Sequence, residues 1–240
     1  MIDETNLTEE RQWLYESHAN KAIASLKRVS IDGVFVWSKE EALAKALELI
    51  PPGASVGRGD SVTLAQIGLM ERLRKDKSRE IIDPFERDES GRYAVPGPGH
   101  MALMRKAATA DVFLTGVNAI TMDGKLVNVD SIGNRVVGLI FGPKKVIVVA
   151  GANKIVKNVD EALERLRRVS PLNVRRHYVK HAFESLEELP CLKTGVCVDC
   201  RRPDSICNYV VIVQGQQAPK GAADYLPRIH VIIVGEDLGI

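Results

Sequence analysis

The stretch KVIVVAG, residues 145–151, decides the fold. Its apolar run is rich in valine and isoleucine, whose branched side chains suit a pleated strand. The run has no alternating polar side, so the strand it forms is buried on both faces, as in a parallel sheet covered by helices. Working outward, Asn158 and Glu161 make a capping-box pair ahead of a helix that buries Val159, Ala162, Leu163 and Leu166. Pro171 separates that helix from a second one near residues 174–188. Further short apolar strands are expected at VFVW (34–37), Ala54–Val56, Ile81–Asp83, DVFL (111–114), YVVIV (209–213) and HVIIVG (230–235). Helices are expected over residues 8–28, from Ser38 to the stop at Pro51 and Pro52, and over 101–109. Asp123-Gly124 lies between two β-like runs and reads as a tight hairpin.

Strands alternating with capped helices predict an α/β fold, a mostly parallel sheet with helices on both faces. No linker divides the chain. The expected organisation is a helical appendage over residues 1–30 and a single α/β domain over 31–240.

The formal net charge is +2 and aromatic residues make up 5% of the chain. That excludes the basic footprint and stacking platform of a nucleic-acid binder. The basic stretch RLRRVSPLNVRRH (165–177) reads as a solvated helix face, with an anion-steering patch as the alternative. No apolar run approaches the ~20 residues of a membrane helix, so membrane insertion is not expected. The start, MIDETNLTEERQW, lacks a signal peptide's apolar core, which points to the reduced cytoplasm.

Ligands of open parallel sheets sit beyond the carboxyl ends of the strands. There the chain places Gly57, Gly59, Ser61 and Thr63 in GRGDSVT, then Asn118 after DVFL. Gly133, Asn134 and Arg135 follow another strand, and Lys154 follows KVIVVAG. Glycines allow close backbone approach to an anion, hydroxyls add hydrogen bonds, and Arg135 or Lys154 would steer it. GRGDSVT is neither a dinucleotide fingerprint nor a Walker A loop. Of the carboxylates, Asp123 suits the hairpin turn and Asp60 borders the anion loop. Asp130 has no turn to make and is the expected proton-transfer group. His100 sits in the glycine- and proline-rich PGPGH. His177 and His181 have a spacing that can pair two ligands on one metal, but no HExxH pattern accompanies them.

All four cysteines fall in one segment: Cys191, Cys197, Cys200 and Cys207, spaced C-x5-C-x2-C-x6-C. In a reduced compartment this clustering favours metal ligation over disulfides. Four thiolates suit zinc or an iron–sulfur cluster, and the single CxxC also permits redox thiols.

The run VNAITMDGKLVNVDSIGNRVVGLIFGPKKVIVVAGANK (117–154) resembles the LUD-domain family, named for lactate utilisation. GRGDSVT (57–63) fits the same pattern. CLKTGVCVDCRRPDSICNYVVIV (191–213) resembles the cysteine-cluster form found in anaerobes. The resemblance implies the fold of glucosamine-phosphate deaminase, ribose-phosphate isomerase and the coenzyme A transferases. It also implies a role in oxidising lactate to pyruvate beside iron–sulfur partner proteins. With the irregular x5 and x6 arms, it favours a [4Fe–4S] cluster over zinc at the four cysteines. The expected function is binding of a small anionic metabolite at the strand edge, as a subunit of a lactate-oxidising system. Two alternatives stand beside it: an isomerase or transferase acting on a phosphosugar or acyl-coenzyme A, and a non-catalytic accessory subunit for iron–sulfur proteins.

Overall fold

The structure, a computed structural model, describes residues 4–218 and 226–240. The first half of the chain forms α1 (Thr8–Arg28), β1 (Asp32–Val36), α2 (Lys39–Leu49), β2 (Val56–Arg58), α3 (Val62–Gln66), α4 (Leu69–Arg74) and β3 (Ile81–Ile82). Next come α5 (Pro98–Ala107), β4 (Val112–Thr115), β5 (Ala119–Thr121), β6 (Leu126–Asp130), α6 (Asn134–Ile140) and β7 (Lys145–Gly151). The chain closes with β8 (Ile155–Val156), α7 (Val159–His181), α8 (Pro190–Thr194), β9 (Tyr209–Val213) and β10 (Ile229–Val234).

A six-stranded parallel sheet runs in the order β1-β10-β7-β4-β2-β3. Its middle strand β7 alternates as a pleated strand must. Val146, Val148 and Ala150 join one core with Leu26 of α1, Phe113 and Leu139. Ile147 and Val149 join the opposite core with Ala42 of α2, Leu64 of α3 and Leu73 of α4. Helices therefore cover both faces, and the α/β architecture with a mostly parallel sheet is the observed one. The first helix is part of this packing, since Ala19, Ala22, Ile23 and Leu26 are buried in the larger core.

The antiparallel hairpin does not join that sheet. Strands β5 and β6 belong to a separate four-stranded sheet, β8-β5-β6-β9, with α7 packed on it through Ala162 and Leu166. Gly124 makes the turn at φ +92, and Asp123 accepts from Thr121 and Lys125. Tyr209 and Val210 of β9 are exposed, contrary to the expected buried strand, because β9 lies at the edge of this second sheet. Apolar character alone does not separate a central strand from an edge strand.

Helix α7 also departs from expectation, because it runs through Pro171 without a break. Proline cannot donate to the carbonyl four residues back, a loss usually large enough to end a helix. Here Pro171 and the flanking Ser170 and Val174 are buried, and Ser170 Oγ donates to the Leu166 carbonyl at 2.7 Å. Packing holds the helix together across the missing bond. At its start, Asn158 Oδ1 accepts from Glu161 N at 3.0 Å and Glu161 Oε2 accepts from Lys157 N at 2.7 Å. Asn158→Ala is expected to lower stability by about 1 kcal/mol, read as a shift of the urea midpoint.

Candidate functional site

A cavity of about 490 Å³ opens beyond the carboxyl ends of β2, β4 and β7. Asp60 and Ser61 reach it from the loop after β2, Asn118 from the segment after β4, and Lys154 from the turn after β7. Asp130 arrives at the end of β6, and Asn134 and Arg135 at the start of α6. Arg176, His177 and His181 descend from the last turns of α7, which reach the cavity only because the helix continues past Pro171. Tyr93, His100 and Phe85 form an aromatic wall, with Tyr93 and His100 stacked at 4.4 Å. Met101 and Met104 line the cavity as well rather than filling the core.

Gly57, Gly59, Thr63 and Gly133 lie behind this surface. A side chain at Gly57 would meet the Ala107 carbonyl at 2.2 Å, and one at Gly59 would meet the Arg135 stem at 2.7 Å. These glycines thus permit close packing, and the Gly59 amide donates to the Leu114 carbonyl. Thr63 is buried with its hydroxyl 3.4 Å from Lys154 Nζ. Gly133 caps α6 in a left-handed conformation and donates from its amide to Asp130 Oδ1 at 3.0 Å. Ser61 caps α3 by accepting from Leu64 N.

The Arg135 fork is used inside the protein. It donates to the Gly116 and Val129 carbonyls at 3.1 and 2.6 Å, and to Asn128 Oδ1 and Asn118 Oδ1 at 2.8 and 2.9 Å. Its Nε lies 3.7 Å from Asp130 Oδ2, which is buried without a hydrogen-bond partner. Lys154 is buried too, and donates to the Val117 carbonyl at 3.1 Å. Burial, then the charges of Arg165 and Arg135, lower its pKa to about 7. One cavity is therefore lined by an amine without a carboxylate partner and by a carboxylate oxygen without a hydrogen-bond donor. That pairing suits a small acid carrying a hydroxyl group.

On the opposite wall, Arg176 Nη2 donates to both Asp60 oxygens at 2.7 Å. Burial pushes the Asp60 carboxyl up, but His177 and Arg176 outweigh it and hold the group far below the usual carboxylate range. Burial lowers His181 to about 4, so this imidazole is neutral at physiological pH. Asp60 lies 116 residues before Arg176 in the chain, whereas Arg176, His177 and His181 share the end of α7. The only signal in the sequence was the i, i+4 spacing of the two histidines.

The four cysteines line a second, smaller cavity of about 130 Å³, and all four are free thiols. Burial raises the thiol pKa values of Cys191 and Cys207. Neighbouring cations do not offset this, because Lys193 pairs with Glu188, Arg202 with Asp204, and Arg201 lies near Asp199. Asp199 and Arg201, on either side of Cys200, take positive φ angles of 51 and 45. Such conformations are uncommon in non-glycine residues and set the shape of the loop around Cys200. Among the described residues no three cysteine sulfurs lie within 4.8 Å of one another. Sulfurs on one zinc ion sit about 3.8 Å apart, given Zn–S bonds of about 2.3 Å. Four thiols around one cavity are a donor set that suits either zinc or an iron–sulfur cluster. Val129 lines both cavities, and so does α7, through Ser170 and Val174 on one side and Asn173 and Arg176 on the other.

A family model described as "LUD domain" matches residues 19–234. Among solved structures, the crystal structure of a DUF162 family protein from Deinococcus radiodurans is similar at 14% identity. The match covers 93% of this chain and 98% of that chain, with a TM-score of 0.46. A search of curated proteins gives no match. No helix among the described residues is long and apolar enough to cross a membrane.

Proposed function

The chain belongs to the LUD-domain family, and from that premise we propose that it is the small-acid-binding subunit of a lactate-type utilisation system. On this reading Lys154 receives the carboxylate of a 2-hydroxy acid, and Asp130 Oδ2 accepts its hydroxyl proton. Asn118 and Asn134 border the ligand, and Arg135 fixes the shape of the floor. The four cysteines hold an iron–sulfur cluster, which supplies one-electron transfer to a partner iron–sulfur protein when bound. The observation that carries the reading is the shared wall. Val129 separates the cysteine cavity from the pocket that holds Asp130 and Lys154.

The test is anaerobic purification followed by iron analysis, absorption spectroscopy and calorimetric titration with lactate. The expected protein is brown, carries about four irons per chain, and binds lactate in a manner lost in Lys154→Met. Cys200→Ser is expected to remove the colour. A colourless protein with one zinc per chain would refute the cluster. Equal lactate affinity in wild type and Lys154→Met would refute the pocket assignment.

A further inference from the structure

Three side chains in the main cavity converge on a point that the lactate reading does not use. His177 Nε2 lies 3.5 Å from Asp60 Oδ2, and His181 Nε2 lies 4.0 Å from the same oxygen. One ligand atom from each residue falls within 4.8 Å of the other two. With metal–ligand bonds of about 2.1 Å, the edge of a coordination tetrahedron is about 3.4 Å. The 3.5 Å separation is close to that edge, and the 4.0 Å one exceeds it by about 0.6 Å.

The outer partners of both rings suit metal binding. His177 Nδ1 is 2.9 Å from the Asn173 carbonyl, which can only accept, so Nδ1 carries the hydrogen. Nε2 then faces Asp60 Oδ2, where either a proton on Nε2 or a metal ion between the two atoms joins imidazole to carboxylate. His181 Nδ1 is 2.6 Å from the Tyr93 hydroxyl, which can likewise accept and leave Nε2 free. Histidines that bind metal commonly donate their second ring N–H to a carbonyl or similar oxygen in this way. Arg176 engages each Asp60 oxygen once. A carboxylate has about four lone-pair sites, so Oδ2 keeps one for a further partner.

We propose that Asp60, His177 and His181 form a binding site for one first-row divalent metal ion, with its remaining coordination open to the main cavity. Two imidazoles and one carboxylate suit zinc, cobalt or iron(II) rather than calcium or magnesium. The site is separate from the four cysteines and does not depend on the lactate reading.

The test is titration of cobalt(II) into the anaerobically prepared protein, followed by absorption spectroscopy. Cobalt held by nitrogen and oxygen shows weak ligand-field bands. Cobalt held by thiolates adds an intense sulfur-to-metal charge-transfer band. The expected result is one equivalent of cobalt with the first signature, lost in His177→Ala and in His181→Ala. Tyr93→Phe, which keeps the ring and removes only the hydroxyl, is expected to weaken this binding by about 10–100-fold. Should either histidine variant fail to fold, the Tyr93→Phe affinity decides, and an unchanged value overturns the proposal. A signal carrying only the thiolate band, or a nitrogen–oxygen signal that survives both histidine replacements, also overturns it.

Discussion

Arg135→Ala is expected to lower the unfolding free energy by about 3–5 kcal/mol, the usual effect of removing one partner from a buried charge pair. The guanidinium joins parts of the chain that would otherwise hold only one another's edges. It ties the Gly116 carbonyl after β4 to Asn128 and the Val129 carbonyl in β6, and to Asn118 between β4 and β5. Removal takes one donor from each of four oxygens, although Asn118 Oδ1 keeps the Val129 amide and the Gly116 carbonyl keeps the Thr115 hydroxyl, and it leaves the buried Asp130 carboxylate without its ion-pair partner. It also empties the space against which Gly59 packs. Arg135→Lys is expected to recover less than half the loss, because one ammonium cannot span four acceptors arranged around a planar fork. Urea unfolding checks both. A loss under about 1 kcal/mol in Arg135→Ala, the scale of an ordinary hydrogen bond, would show that the fork is not the tie described.

Lys154→Met is expected to act in the opposite direction on stability. Folding lowers the lysine pKa from 10.5 to about 7. Between these values the unfolded chain binds more protons than the folded one, so stability rises with pH across that window. Near and below pH 7 the full penalty for burying the amine is present, and it fades as pH approaches 10.5. The methionine variant has no such penalty. Its stability at pH 7 is expected to exceed wild type by roughly 2–4 kcal/mol, a converted pKa difference reduced for the lost bond to the Val117 carbonyl. The advantage is expected to shrink steadily in denaturation curves recorded towards pH 10. An advantage independent of pH would show that the amine does not titrate in this window.

The central sheet was legible because its signal is local. The apolar run at residues 145–151 needs no distant partner to declare itself buried, and Asp123-Gly124 makes its turn within a few residues. The split into two sheets was not legible, since strand pairing is decided by which chains meet and not by the strands' own composition. Pro171 misled for a related reason: the rule it follows is local, and the packing of Ser170 and Val174 that overrides it is not.

The candidate site divides in the same way. Ser61, Asn118, Asp130, Asn134 and Lys154 follow strands in the sequence, so topology alone brings them to one cavity. That the Arg135 fork is occupied by main-chain and amide oxygens is a fact about its neighbours, which no spacing encodes. The grouping of Asp60 with Arg176, His177 and His181 depends on the uninterrupted helix α7, so misreading one proline concealed it.

That helix has one more implication. A single rigid rod presents Ser170 and Val174 to the thiols and Asn173, Arg176 and His177 to the larger chamber. Any displacement of the rod that favours an occupant on one side alters affinity on the other, and thermodynamic reciprocity makes the two factors equal. On the function proposed above, loading of the cysteine chamber and capture of the acid would be coupled through this one helix, without any need for the two occupants to touch.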